Sequence, residues 1–523
     1  MPKFNPHPLF PENPLYEIHS EAEIPHSDRY ELWCDGRRQT VYHTDSFDYA
    51  VVVRKNSEHF PVEIHVSTAF KDVVIRPLSV GISFERKEDV IRFTLPGPVK
   101  ISVELDGNLK TPLFILTTNY VAPPDPAPAY FFRKGHVYNV GSLELKSGEC
   151  AYLEEGSIVC GRIFSYKADC VSVLGNGILY GSVWHKPDEN GGRLMAAFAL
   201  GDDIRIQGIT IVDSGVWNLV PGACRNVSIC DVNILSRLVT GDGIDIVGCE
   251  NVTIENCFIR ACDDCICIKA CPLPSPAACC NVKNVHVHGC TLWNAEPGNA
   301  LEIGYELRCN EVSDIVFSDC DIIHCEYEGN QSGGVLTIHN ADRANVHNIL
   351  YENIRIEDAQ EKLVDIKILD SKYSLDRVRG DVQDVTFRNI TVGGSIFPVS
   401  IIRGFEMHNE MHRPRHIRFE NVVVHHLKTS FFGCIHQGRR RGGGEKAFQK
   451  GKAGGAVRGF GKNFYLPVFF LQTPGQVFLF QSHQFQIAAG KEEEKGKEQE
   501  GSPVFPVIHE SHRVHDFLLS GKW

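Results

Sequence analysis

The sequence predicts an all-β chain, a right-handed parallel β-helix preceded by an N-terminal β-sandwich. Residues 131–436 repeat a unit of apolar strand, short polar turn and second apolar strand. Residues from about 50 to 120 alternate apolar and polar side chains with period two. No long helical period separates the repeats, which disfavours βαβ layers and leucine-rich repeats.

The N-terminal region, residues 1–120, is read as the sandwich. Val62, Ile64 and Val66 form one stripe, Ile91, Phe93 and Leu95 a second, and Val99, Ile101, Val103 and Leu105 a third. Breaks such as PG and DGN separate them, as in a small antiparallel sandwich. The segment VAPPDPAPAY, residues 121–130, holds four prolines. Each fixes φ and removes a ladder donor, which makes the segment a linker.

Beyond the linker come DCVSVLGNGIL, DIRIQGITI, NVSICDVNIL, NVTIENCFI, NVHVHGCTL, DIVFSDCDI, NILYENIRI, DVTFRNITV and HIRFENVVV. They recur every 23 to 36 residues, within the range of solenoid repeats. One such unit cannot bury its own apolar stripe, whereas a stack of them builds a continuous core. Residues 437–523 lose the repeat and become basic and glycine-rich, then highly charged. Such compositions resist packing. The tail reads either as disordered or as a non-native continuation such as a reading-frame slip.

A net charge of -12 argues against a nucleic-acid partner. No basic start followed by an apolar stretch marks a signal peptide, and no stretch of about 18 uncharged apolar residues suggests a membrane span. The chain therefore reads as soluble and cytoplasmic, or as secreted if its true start is missing. It has 19 cysteines, densest in CDDCICIKACP with Cys262, Cys265, Cys267 and Cys271. This falls one residue short of a bacterial iron–sulfur spacing. Strand alternation is expected to put Cys265 and Cys267 on one face, which suits packing thiols better than cluster ligands. No metal or cofactor enters the reading.

The run GDGIDIVGCENVTIENCFIRACDDCICIKA, residues 241–270, carries Asp242, Asp245, Asp263 and Asp264. Asp263 follows Asp242 by 21 positions, about one coil, and stacked coils lie about 4.8 Å apart. Coil stacking can thus gather Asp242, Asp263 and Asp264 into one patch. Carboxylates that close cannot all ionise freely, so a proton donor and an acceptor can coexist at neutral pH. Cleaving a glycosidic bond with inversion needs such a pair, usually about 6.5–9.5 Å apart. The bland alternative is that Asp and Asn residues cap the turns of every coil.

Several motifs give these acids a context. The segment from about 130 to 426 resembles the clan of parallel β-helix glycoside hydrolases that includes polygalacturonases (family 28) and dextranase and isopullulanase (family 49). The polygalacturonase Asn-Thr-Asp-Gly motif is similar to TGDG, residues 240–243, and its paired aspartates before Cys-Ile match DDCI, residues 263–266. VLGNGILYG and VWNLVPGACRNVSI look like two further coils of that family. The resemblance implies Asp263 as general acid, with Asp242 and Asp264 activating water. It implies that Asp245 matters less.

Two departures bear on substrate. Where polygalacturonases carry Gly-His-Gly, this chain has GNALEIGYE with Asn299, and where they carry Arg-Ile-Lys it has GVLTIHN with Thr337 and His339. Thr cannot match a carboxylate with an arginine's bidentate fork. The stretch around Glu302 and Tyr305 looks closer to the dextranase family, which also carries an N-terminal sandwich. By that resemblance Asn299, Glu302 and Tyr305 would shape the sugar site, with Tyr305 as a stacking platform. Lys269, two residues past Cys267, shares its face by strand alternation and is expected either to reach the cleft or to lie solvated at the surface.

The sequence thus points to an inverting glycoside hydrolase on a neutral poly- or oligosaccharide. The alternatives are a polygalacturonase-type pectin hydrolase and a non-catalytic carbohydrate-binding solenoid. A polysaccharide lyase fits less well, because it needs a strong base and usually Ca²⁺, and the sequence puts no Arg beside the acids. Oligomeric state, sugar identity and endo or exo action are not encoded in these motifs.

Overall fold

The computed structural model describes residues 24–181, 194–326, 333–395 and 398–424, with the backbone of two short strands, Ile18–His19 and Leu427–Phe432. The tail from 437 onward lies outside the described residues. Among those described there is no α-helix, so no helix is long and apolar enough to cross a membrane.

Two five-stranded sheets form the N-terminal sandwich. One holds Asp48–Arg54, Leu113–Asn119 and Lys100–Leu105 at its centre, the other Tyr30–Cys34, Phe60–Val66 and Val90–Leu95. The stripes Val62/Ile64/Val66, Ile91/Phe93/Leu95 and Ile101/Val103/Leu105 all point into the core between them. Period-two alternation places them there, since successive strand side chains face opposite ways.

The chain then winds into a parallel β-helix, a sheet of 31 strands in which only Ile18–His19 and Leu427–Phe432 pair antiparallel. The strand Ile18–His19 pairs with Val137–Glu144, so the chain ahead of the sandwich already adds to the β-helix. Register is strict. Val227 stands on Val252, then Val285, Ile315, Ile349, Val385 and Ile417. The neighbouring column ends in Phe317, Tyr351, Phe387 and Phe419, whose rings stack 4.8–5.0 Å apart. Asn and Asp recur because each coil turns through a left-handed residue. Asn226, Asn251 and Asn284 have φ of 56–57°, and their side-chain amides hydrogen-bond up the stack at 3.2 and 2.9 Å. Asn tolerates that backbone region better than other non-glycine residues.

The sandwich docks on one face of the β-helix. Phe47, Tyr49, Phe114 and Leu116 pack against Tyr180, Val212, Phe258, Trp293 and Ile323. Buried charge flanks this apolar seam. Lys100 is ion-paired with Asp231, and Arg76 reaches both Glu104 (3.2 Å) and Glu357 (2.5 Å). His324 sits between Glu104 (3.0 Å) and Asp358 (3.1 Å), with the Trp293 ring 4.2 Å away.

This network predicts a pH-dependent seam. Burial disfavours the imidazolium, but the hydrogen bonds to Asp358 and Glu104 outweigh it and raise the His324 pKa. The same contacts outweigh burial at Glu104 and Asp358 and hold their carboxyls low. Stability from a raised histidine is complete below about 6.5 and is lost as pH climbs through its folded value. That from the two carboxylates is present above their ordinary range and is lost as pH falls through their depressed values. His324→Gln should therefore destabilise the protein by about 1–3 kcal/mol near pH 6 and by less near pH 10. Melting curves across that range check it, and parallel pH profiles for variant and wild type would show that His324 is not charged.

Candidate active site

Strands Ile244–Val247 and Ile266–Ala270 lie side by side, with Ile244 opposite Ile266, Asp245 opposite Cys267 and Val247 opposite Lys269. Ile244, Ile246, Ile266 and Ile268 point into the β-helix core. Alternation therefore turns Asp245, Cys267 and Lys269 to the outer face. Asp242 and Asp264 stand two residues before the paired isoleucines, one directly above the other, and Gly243 N donates to the Asp264 carbonyl at 2.8 Å. One carboxylate oxygen each of Asp242, Asp263 and Asp264 lies within 4.8 Å of the others.

Lys269 binds this group together. The residue is 4% exposed, and its ammonium lies 2.7 Å from Asp242, 2.8 Å from Asp245 and 3.7 Å from Asp264, and 4.1 Å from the centre of the Trp217 ring. Burial alone would push the lysine down, yet the surrounding carboxylates raise its pKa well above the ordinary value. Burial pushes Asp242 well above the usual carboxylate range, Lys269 pulls it back, and Asp245, Asp263 and Asp264 push it up again. For Asp245, burial outweighs Lys269 and its pKa rises to about 6. Asp242 Oδ1 and Asp245 Oδ2 are buried with no hydrogen-bond partner.

The other two acids are held by the next coil. Asn299 gives both its backbone N–H (3.0 Å) and its side-chain amide (2.7 Å) to Asp264 Oδ1. Asp263 is half-buried with φ of 151°, a region sparsely populated outside glycine and common at functional sites. Asn294 donates to its carbonyl at 2.7 Å. A Cβ on Gly298 would fall 2.3 Å from the Asp263 carbonyl carbon, so only glycine allows this approach.

The structure thus brings together Asp242, Asp263, Asp264, Lys269 and Asn299. Glu302 lies one coil on, opposite Cys267, fully buried and bonded to Thr337 and to His339 Nδ1 (3.0 Å). Tyr305 stacks one face on His339 at 4.5 Å and leans on Tyr373 at 5.5 Å. His339 Nε2 lies 3.2 Å from Asp365, which also meets Lys367 (2.6 Å) and Lys362 (3.4 Å).

One cysteine expectation is corrected. Cys265 packs in the β-helix interior while Cys267 faces outward and donates to the Gly304 carbonyl at 3.0 Å. The strand begins only at Ile266, so alternation does not extend back to Cys265. Cys262, Cys265, Cys267 and Cys271 bond to four different groups.

Sequence reasoning set Asp245 apart and missed Trp217, Tyr373 and Asp365. Asp245 was detectable, since three positions after Asp242 it starts the outward alternation that Lys269 shares one coil later. Asp365 continues the outward column Cys267, Glu302, Thr337. The three carboxylates of Asp242, Asp263 and Asp264 have a spacing a divalent ion could use, but Lys269 already occupies the counter-charge position.

Removing that counter-charge should be costly. Lys269→Met leaves buried carboxylates unpaired and should destabilise the fold by about 3–5 kcal/mol at neutral pH, with partial recovery in mild acid as the acids protonate. Chemical denaturation at two pH values tests this, and a Met variant as stable as wild type would show that the ammonium is not the counter-ion.

Residues 186–401 match the family described as Glycosyl hydrolases family 28. An exopolygalacturonase of Zea mays is 28% identical over 208 residues, covering 38% of this chain and 46% of the relative. The chain thus spans less than half the length of that curated relative. Among solved structures, Dex49A from Penicillium minioluteum aligns with a TM-score of 0.45 at 14% identity, over 72% of this chain and 90% of that one. A family 28 exopolygalacturonase from Yersinia enterocolitica aligns with a TM-score of 0.45 at 11% identity, over 78% and 91%. The matched stretch contains both the TGDG and the DDCI segments, so the similarity to family 28 falls on the coils that carry the clustered acids.

Proposed function

We propose that the protein hydrolyses an O-glycosidic bond in a poly- or oligosaccharide, with inversion at the anomeric carbon. The observation that carries this reading is the convergence of Asp242, Asp263 and Asp264 to within 4.8 Å around a buried ammonium. Asp263 is the most exposed of the three, which suits it to protonate the leaving oxygen. Asp264, oriented by two donors of Asn299, and Asp242, tied to Lys269, flank the position for the attacking water. Because such close acids cannot all ionise, the group retains a proton to donate near neutral pH.

Asp263→Asn keeps the shape and removes the donor, so turnover should fall roughly 10²–10⁴-fold with folding intact. Unchanged turnover on a confirmed substrate would refute the assignment. The cluster is tighter than the roughly 6.5–9.5 Å usual between the carboxyls of inverting enzymes. The anomer of the first product therefore decides the mechanism, and a retained anomer would mean a covalent intermediate on one of the aspartates.

The substrate is proposed to be neutral. Cations near the acids are engaged by the protein's own carboxylates. Lys269 serves Asp242 and Asp245, and Lys367 serves Asp365. Burial opposes charge on His339, but Glu302 and Asp365 raise its pKa to about 9, so its positive charge is held inside the wall. A uronate would find no bidentate Arg at the Thr337 position. The second reading, a polygalacturonate hydrolase, is favoured by the relative named exopolygalacturonase. Assays of polygalacturonate against dextran, pullulan and galactan oligosaccharides over a salt series separate the two. A neutral substrate should be cleaved fastest, with little salt dependence. Preferential cleavage of polygalacturonate, weakening steeply with salt, would establish the second reading.

A further inference from the structure

Arg260 is the third residue of strand Phe258–Ala261 and is 6% exposed. Its Nη1 donates to the Ser236 carbonyl and lies 3.2 Å from Cys262 Sγ. Its guanidinium carbon is 5.2 Å from the centre of the Phe47 ring. These partners are a carbonyl, a thiol and a ring, none of them a carboxylate, which is an unusual setting for a buried guanidinium.

The partners explain the placement. Ser236 opens the loop that ends in Asp242, and Cys262 precedes Asp263. The two segments also touch directly, since Gly241 N donates to the Cys262 carbonyl at 3.3 Å. A Cβ on Gly241 would meet Ser236 Oγ at 2.1 Å, so the loop is folded tightly on itself. Ser236 N donates to the Arg260 carbonyl at 2.8 Å, which clamps the loop start from a second side. Phe47 belongs to the sandwich. It is presented by a turn in which Thr44 Oγ1 donates to the Phe47 carbonyl at 2.7 Å and accepts from Phe47 N at 3.0 Å. The next loop residue, Arg237, is also shared across the seam, lying 2.7 Å from Asp213 and 3.2 Å from Asp45 of the sandwich.

We propose that Arg260 is a positioning residue for the reaction. Pressed by Phe47, its guanidinium fixes the Asp242 loop against the Asp263 segment, so the β-sandwich is a working part of the active site. This rests on the hydrolase reading. Both polar contacts come from the one nitrogen Nη1, which leaves the flat guanidinium free to lie against the Phe47 ring, a contact that a compact, strongly hydrated lysine ammonium does not reproduce. A small displacement of either acid would spoil the geometry of proton donor and water.

The test compares wild type, Arg260→Lys and Phe47→Leu. Steady-state kinetics and their pH profiles use the oligosaccharide that wild type cleaves best. Hydrogen exchange is followed in peptides covering 236–245 and 260–266. Arg260→Lys should lower kcat roughly 10- to 100-fold, leave KM within about twofold and shift the pH profile. Exchange should rise in those two peptides and not across the core. Phe47→Leu should move every readout in the same direction by less, and it carries the test if Arg260→Lys does not fold. A folded Arg260→Lys with wild-type kcat, pH profile and local exchange would overturn the proposal. If wild type cleaves no glycoside, the hydrolase reading fails by itself, and unchanged exchange at 236–245 would then separately remove the clamp.

Discussion

In this fold each residue stands almost directly on its counterpart one coil earlier. That single register constraint explains why Val227 belongs to a column of aliphatic residues running from Ile204 to Ile417 and why Phe317, Tyr351, Phe387 and Phe419 stack in the next column. It also explains why Asp242 lies over Asp264. The left-handed Asn and Asp turns keep the register from slipping, because a shift by one residue would turn the inward columns out to solvent. Whatever the coils bring to their outer face, acids included, is arrayed with the same regularity.

Regular stacking of like charges would by itself be unstable. Lys269 offsets it by placing one ammonium within 4 Å of three carboxylates in a region closed to water. One positive charge cannot neutralise four acids. Burial first, and the neighbouring carboxylates second, push Asp242 and Asp245 upward despite their contact with the lysine. The burial that makes the cluster costly is therefore also what favours the neutral form of these two acids.

Much of the architecture was legible from the sequence because its signals are local. Period-two stripes and the recurring Asn or Asp beside each strand report backbone preferences that tertiary contacts then reinforce. The acids were legible through coil spacing and motif likeness. The Glu302–His339–Asp365 chain was not, because its members are spread over three coils and only the exact register aligns them. Arg260 was invisible for a related reason. Its partner Phe47 is 213 positions away, in the N-terminal sandwich, and nothing in either neighbourhood signals the contact. Cys265 was misassigned because alternation was carried one residue past the start of its strand.

The division of labour among coils follows from the same geometry. The acids belong to the coils of Ile244–Val247 and Ile266–Ala270, whereas Glu302, Thr337, His339, Asp365 and Lys367 belong to the three coils after them. Each later coil meets the acids mainly through its immediate neighbour, so charges there can neutralise one another without disturbing Lys269. In such a stack the outward residues downstream can change while the Asp242, Asp263 and Asp264 group stays intact. An internally paired Glu302–His339–Asp365 wall, with Lys362 and Lys367 beside Asp365, is an arrangement this solenoid holds while the inward columns stay apolar.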